Sequence, residues 1–234
     1  MSKKRELQQQ KKEEKLQAAA RKEATFKLLG KVGLYVVAPI FALIALFTIF
    51  SQGPTYSPVE IAETDHIRGE VSNPVTLTMY ADFQCPACAE EYLLITRAWP
   101  ELRDKARLVF RHYPLTNMHP FAWTASLYAE AAARQGRFWE MHDALFVNQA
   151  YWAGLTAENV SLEFDNYATQ LGLDLAQLKQ DMEDPAVIEK VRSDQRSGTR
   201  SGVRATPTLF INGSLATAST VTRLVQLVNS AAGV

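Results

Sequence analysis

The sequence predicts an α/β domain with a mixed sheet and a helical insertion, preceded by a single N-terminal transmembrane helix. Three observations carry this expectation. Short β-branched runs at 75–81, 107–113 and 208–211 are separated by helix-patterned segments. The stretch of about 118–190 is mostly helical in pattern and interrupts the strands. Residues 32–50 contain no charge at all. The chain has 234 residues, of which 47% are apolar, enough for a packed core, so disorder throughout is excluded.

The N-terminal end comes first. Residues 1–31 hold ten Lys/Arg against four Glu, a net of +6, and the other 203 residues carry a net of −6. The later domain is therefore not basic, and a nucleic-acid partner is not expected. Val32–Phe50 is nineteen uncharged residues, and a helix of that length covers about 28 Å, close to a bilayer core. Gly33 and Pro39 are poor in a soluble helix and tolerated in a membrane span. All the flanking positive charge lies before the span, which puts the 1–31 tail in the cytoplasm and the domain outside. A cleaved signal peptide would have a shorter basic region and a small-residue cleavage motif, so an uncleaved anchor is preferred. The tail reads as a solvated helical or disordered segment, with lipid-headgroup attraction as the alternative. Residues 51–66 hold two prolines and no helical period, and read as a tether. The domain is expected over 67–234.

Within it, Val75–Ala81 reads as a buried strand. A helix begins near Cys85–Pro86, because proline is favoured at the first helical position. Its pattern covers 87–98 and is interrupted at Pro100. Arg107–Tyr113 is the second strand. Helices follow, with Thr156 as a cap and stops at Gly136 and Gly172. Thr208–Ile211 is the third strand, Asn212-Gly213 a hairpin turn, and Ser214–Thr217 an edge strand. Ser219 or Thr220 caps a last helix with Leu224 and Val228 on one face.

Cys85 and Cys88 are the chain's two cysteines, three apart. At a helix start their side chains come within bridging reach. Unpaired N–H groups and the positive dipole end stabilise a thiolate on the first. Cys85 is thus the exchanging sulfur and Cys88 its resolving partner, with Pro86 and Ala87 shaping the activating turn. The four histidines (66, 112, 119, 142) form no H-x₃₋₅-H pair, so no zinc site is expected. Copper carriage by two thiolates stays an alternative. A structural disulfide across so short a loop would stabilise little. His112 and His119 read as loop hydrogen-bonders. Asp82, Glu90 and Glu91 read as solvated or structural rather than catalytic, and the aromatics of the insertion as mostly core.

Ala205-Thr206-Pro207-Thr208 precedes a strand. Pro207 there suggests a cis bond that turns the Thr206 backbone outward, where it could pair with an extended client segment. An ordinary trans loop proline is the alternative.

MYADFQCPAC, FRHYPL, FWEMHDALF and GVRATPTLFING together resemble the DsbA-like thiol:disulfide oxidoreductases of the thioredoxin superfamily, over roughly 66–230. The resemblance implies a thioredoxin-like fold with a helical insertion, a redox-active Cys85–Cys88 pair, and a cis Pro207 preceded by Thr206. It also implies unfolded or reduced exported proteins as clients and a membrane quinone-linked partner that reoxidises the pair. Two departures stand out. Met79 occupies the position where such domains often bury an acid, and Ala87 replaces the histidine of strongly oxidising relatives. The expectation is a membrane-anchored oxidase of exported dithiols needing no bound cofactor; the alternatives are a reductase of exported disulfides and a tethered copper-binding module.

Overall fold

A computed structural model describes Lys22, residues 33–41, 43–44 and 57–234. The chain divides into two units, Met1–Gly53 and Pro54–Val234. Most of the tail, part of the expected anchor at 32–50 and the first part of the expected tether lie outside the described residues. Within residues 32–50, Gly33–Val37 is a π-helical turn that runs on as helix. No helix among the described residues is long and apolar enough to cross a membrane.

The second unit is built on a five-stranded sheet in the order β1-β3-β2-β4-β5. The strands are β1 His66–Arg68, β2 Val75–Ala81, β3 Ala106–His112, β4 Thr208–Ile211 and β5 Ser214–Ala216. β2 and β3 are parallel, joined through helix α1, Pro86–Leu102; β1, β4 and β5 add antiparallel. This is the mixed sheet expected. The insertion comprises α2 Ala122–Arg134, α3 Phe138–Val147, α4 Gln149–Trp152, α5 Ala157–Gln170, α6 Leu175–Met182 and α7 Pro185–Arg200. It runs ten residues past the expected 190. Helix α8, Val221–Ala232, closes the chain.

Every residue of β2 is buried, as a central strand with both faces covered requires. Leu77, Met79 and Ala81 point into the main core with Ile95 of α1 and Leu224 of α8. Tyr80 points to the other face, into a smaller cluster with Tyr113, Val203 and Phe210. Helix α7 approaches that face through Gly198, where a Cβ would sit 2.8 Å from the Tyr113 ring and 2.9 Å from the Tyr80 ring. The β4–β5 hairpin turns through Asn212 and Gly213 at φ of 47° and 77°, as an Asn-Gly turn demands. Thr156 and Thr220 cap α5 and α8 by accepting from Asn159 N and Arg223 N. Phe138, Phe146 and Trp152 are buried in the insertion, whereas Tyr151 is exposed.

Three expectations are corrected. Residues 57–66 are docked, so they are no tether. The Arg111 guanidinium and the Asp65 carboxylate, both fully buried, pair at 2.8 Å, and the same guanidinium donates to the carbonyls of Ser57 and Glu60. Thr78 Oγ1 donates to the Pro58 carbonyl, and His66 opens an edge strand. Polar groups rather than apolar periodicity hold this segment. Second, α1 continues through Pro100 to Leu102. A proline in the final turn removes one backbone donor, and Arg103 N still reaches Trp99 O at 2.9 Å. Third, His112 is in no loop. It ends β3 fully buried, 2.7 Å from Glu130, which also holds His66 at 2.8 Å.

Candidate active site

Strand β2 ends at Ala81, and four residues later Cys85 is the N-cap of α1 with φ −73° and ψ 119°. Pro86 occupies the first turn, where a missing N–H is tolerated. Cys85 makes no side-chain capping bond, so its sulfur is left for other partners. Pro86 and Ala87 are exposed, Cys85 is 8% exposed and Cys88 fully buried, and both thiols are free.

The turn before the cysteines is held from below. Asp82 is completely buried. Its carboxylate accepts from Gln84 N at 2.7 Å, Leu115 N at 2.8 Å and His119 Nδ1 at 2.8 Å. Gln84 Oε1 accepts from Phe121 N, and Gln149 of α4 donates to the carbonyls of Phe83 and Cys85. Two of these ties come from the insertion, so the helical subdomain braces the thiol turn. Asp82 is therefore structural, not solvated, and His119 is its hydrogen-bond partner. An Asx turn, with Asp accepting two residues on, was the signal available for Asp82 in the sequence. Gln149 had none, because its contact depends on how the insertion folds back. Met79 lies in the main core.

Electrostatics separate the two sulfurs. The Cys85 thiol is lowered to about 5. The hydrogen bond from the Cys88 thiol is the largest cause; burial opposes it, and Thr206 and the backbone N–H groups of Cys88 and Ala87 add to the lowering. The two backbone N–H groups lie in the first helical turn, at its positive end. Cys88 moves the other way. Burial pushes its thiol far up and the hydrogen bond to Cys85 adds to the rise, which together outweigh the lowering by the Asp82 backbone N–H, 3.5 Å from Cys88 Sγ, and by Thr206. One sulfur is a thiolate at neutral pH and its neighbour is not.

The chain returns to this place in the loop before β4. The Thr206–Pro207 bond is cis. Cys85 Sγ lies 3.5 Å from the Thr206 carbonyl, with Thr206 and Pro207 half-buried. Cys85, Cys88, Thr206 and Pro207 are thus brought together across the sheet. Glu91 is half-buried on α1 and Glu90 exposed. His112 and His66 belong to the separate Glu130 cluster. Among the described residues no three His, Cys, Asp or Glu side chains are grouped to hold a metal ion.

A protein-family model described as Thioredoxin matches residues 61–230. The chain is 38% identical over 157 residues to the Na(+)/H(+) antiporter NhaA 3 of Salinispora tropica, covering 64% of this chain. The match spans only 22% of that relative's length. Among solved structures it is similar to alpha-DsbA1 of Wolbachia pipientis, with a TM-score of 0.64 and 18% identity over 74% of this chain and 93% of that one. It is similar also to BdbD of Bacillus subtilis, with a TM-score of 0.65 and 16% identity over 78% of this chain and 100% of that one. At these identities the structures share the fold.

Proposed function

The chain belongs to the thioredoxin family, and from that premise we propose that it exchanges thiols and disulfides through Cys85 and Cys88, oxidising client dithiols. The single observation behind the direction is the Cys85 thiol, held at about 5. Whatever stabilises that thiolate stabilises the reduced pair over the disulfide, and a stable reduced form makes a strong oxidant.

In the proposed cycle a client thiolate attacks Cys85 Sγ of the Cys85–Cys88 disulfide. The client–Cys85 bond forms, the Cys85–Cys88 bond breaks, and Cys88 leaves and takes a proton, as its raised pKa favours. A second client thiolate then attacks the client sulfur of the mixed disulfide. Cys85 departs as a thiolate. The client has lost two electrons and the pair has gained them. The Thr206 backbone, 3.5 Å from Cys85 Sγ, lines the path of the client strand. An external oxidant must remove the two electrons, and a membrane quinone-linked partner is the one we propose. Residues 32–50 anchor the domain outside the membrane in this reading, on the strength of their lack of charge and the basic 1–31 tail. Exported, unfolded or reduced proteins are the clients.

The test is the redox equilibrium of the protein with glutathione, paired with trapping. A potential near the oxidising end of the scale, about −120 mV, supports the oxidase; one near thioredoxin's, about −270 mV, makes the chain a reductase. Cys88→Ser should accumulate mixed disulfides through Cys85, and Cys85→Ser should accumulate none. Trapping through Cys88 would reverse the assignment.

A further inference from the structure

A groove of about 520 Å³ runs from the thiol turn along one face of α1. Ala87, Glu90, Glu91, Leu94 and Arg97 form one wall, and Pro207 stands opposite. Glu91 and Pro207 also share a second, smaller hollow. The groove is thus continuous with the place where a client strand must lie. Its charges are ordered. Two carboxylates sit near the cysteines, and the guanidinium of Arg97 sits farther along. Glu91 is half-buried and makes no hydrogen bond or ion pair among the described residues. Arg97, exposed, makes none either. Burial alone acts on Glu91 and pushes its carboxyl pKa up. A carboxylate partly stripped of water with no partner is a cost to the free protein that a cation would relieve.

We propose that this groove selects clients with a basic side chain about three residues from the reacting cysteine and an acidic side chain about three residues beyond that, read by Glu91 and Arg97. The spacing follows from helix and strand geometry. Six residues of α1 separate Cys85 from Glu91, and six more separate Glu91 from Arg97. Each step covers about 9 Å at 1.5 Å per residue, which an extended chain spans in about three residues. The inference rests on the disulfide-exchange reading of Cys85 and Cys88 and adds a substrate class to it.

The experiment follows reduction of the oxidised full chain by single-cysteine peptides carrying Lys, Ala or Glu at the third residue from the cysteine. Dithiothreitol is run alongside. The wild-type protein should react with the Lys peptide about fivefold faster than with the Glu peptide, a preference that salt diminishes. Glu91→Lys should invert the ratio, and Glu91→Gln, closer in shape, should flatten it. Differences in peptide thiol basicity cancel when ratios are compared between proteins. Arg97→Glu should invert the preference at the sixth residue from the cysteine. Equal ratios in wild type and both Glu91 variants would overturn the selectivity while leaving exchange intact. A protein that neither dithiothreitol nor any peptide reduces would overturn the exchange reading and this inference with it.

Discussion

His119 Nδ1 lies 2.8 Å from the carboxylate of Asp82, which is fully buried three residues before Cys85. The same carboxylate accepts from Gln84 N and Leu115 N, so one side chain ties the thiol turn to the loop after β3. Asp82→Ala leaves both backbone donors without their acceptor. Each such loss costs about 1–3 kcal/mol. We expect the urea midpoint to fall by the equivalent of about 2–4 kcal/mol with the m-value unchanged. Asp82→Asn keeps one acceptor oxygen and should lose less. An unchanged midpoint in Asp82→Ala would mean that water replaces these bonds without cost.

The lowered Cys85 thiol ties stability to pH. Its folded value of about 5 lies well below that of an ordinary cysteine thiol. A depressed acid contributes stability that is present in full above the unfolded pKa and lost as pH falls through the folded one. The Cys88 thiol, raised by burial, stays protonated in the folded state throughout that window. The reduced protein should therefore gain stability relative to the oxidised one as pH rises from about 5 to about 8.5. Urea unfolding of both forms at the two ends of the window measures this. Thiolate absorbance in the reduced protein should titrate with a midpoint near 5. A difference that shrinks with rising pH would contradict the assignment of Cys85 as a thiolate.

Asp65 and Arg111 make the tie that docks residues 57–66. Both side chains are fully buried, 2.8 Å apart, and Lys190 approaches Asp65 at 3.7 Å. Removing one partner of such a pair strands the other charge out of water, at a cost of about 3–5 kcal/mol. Asp65→Ala should lose stability on that scale in urea unfolding. A loss within about 0.5 kcal/mol would place the pair with exposed ion pairs, which contribute little.

What the sequence made legible divides by the range of the interaction. β2 and β4 were read to the residue, because a buried strand is a run of apolar and β-branched side chains. Thr156, Thr220 and the Asn212-Gly213 turn were legible for the same local reason: cap and turn chemistry is written within four residues. The two cysteines announced themselves by spacing. Strand β1 was missed because three residues show no alternation, and the segment before it is held by the Arg111 guanidinium from across the sheet. The burial of Asp82, the bracing by Gln149 and the Glu130–His112 pair depend on residues 18–66 positions apart. No local pattern encodes such contacts.

Ala87 offers the sharpest test of how the thiol turn sets redox poise. Its side chain is exposed, and only its backbone N–H acts on Cys85. Glu90 and Glu91 follow it by three and four residues along α1 and share its groove. A histidine at 87 would face both carboxylates, which favour its charged form near neutral pH. That imidazolium would stand beside the Cys85 thiolate and lower the thiol further. At pH 7 the thiol already lies below the medium, so each further unit stabilises the reduced form by about 1.4 kcal/mol, or about 30 mV for this two-electron couple. Ala87→His should thus lower the Cys85 midpoint and raise the potential in that proportion. Thiolate absorbance against pH and glutathione titration of both proteins measure the two quantities separately. A midpoint that falls without a matching rise in potential would show that strain or solvation of the disulfide, not thiolate stability, governs the poise of this pair.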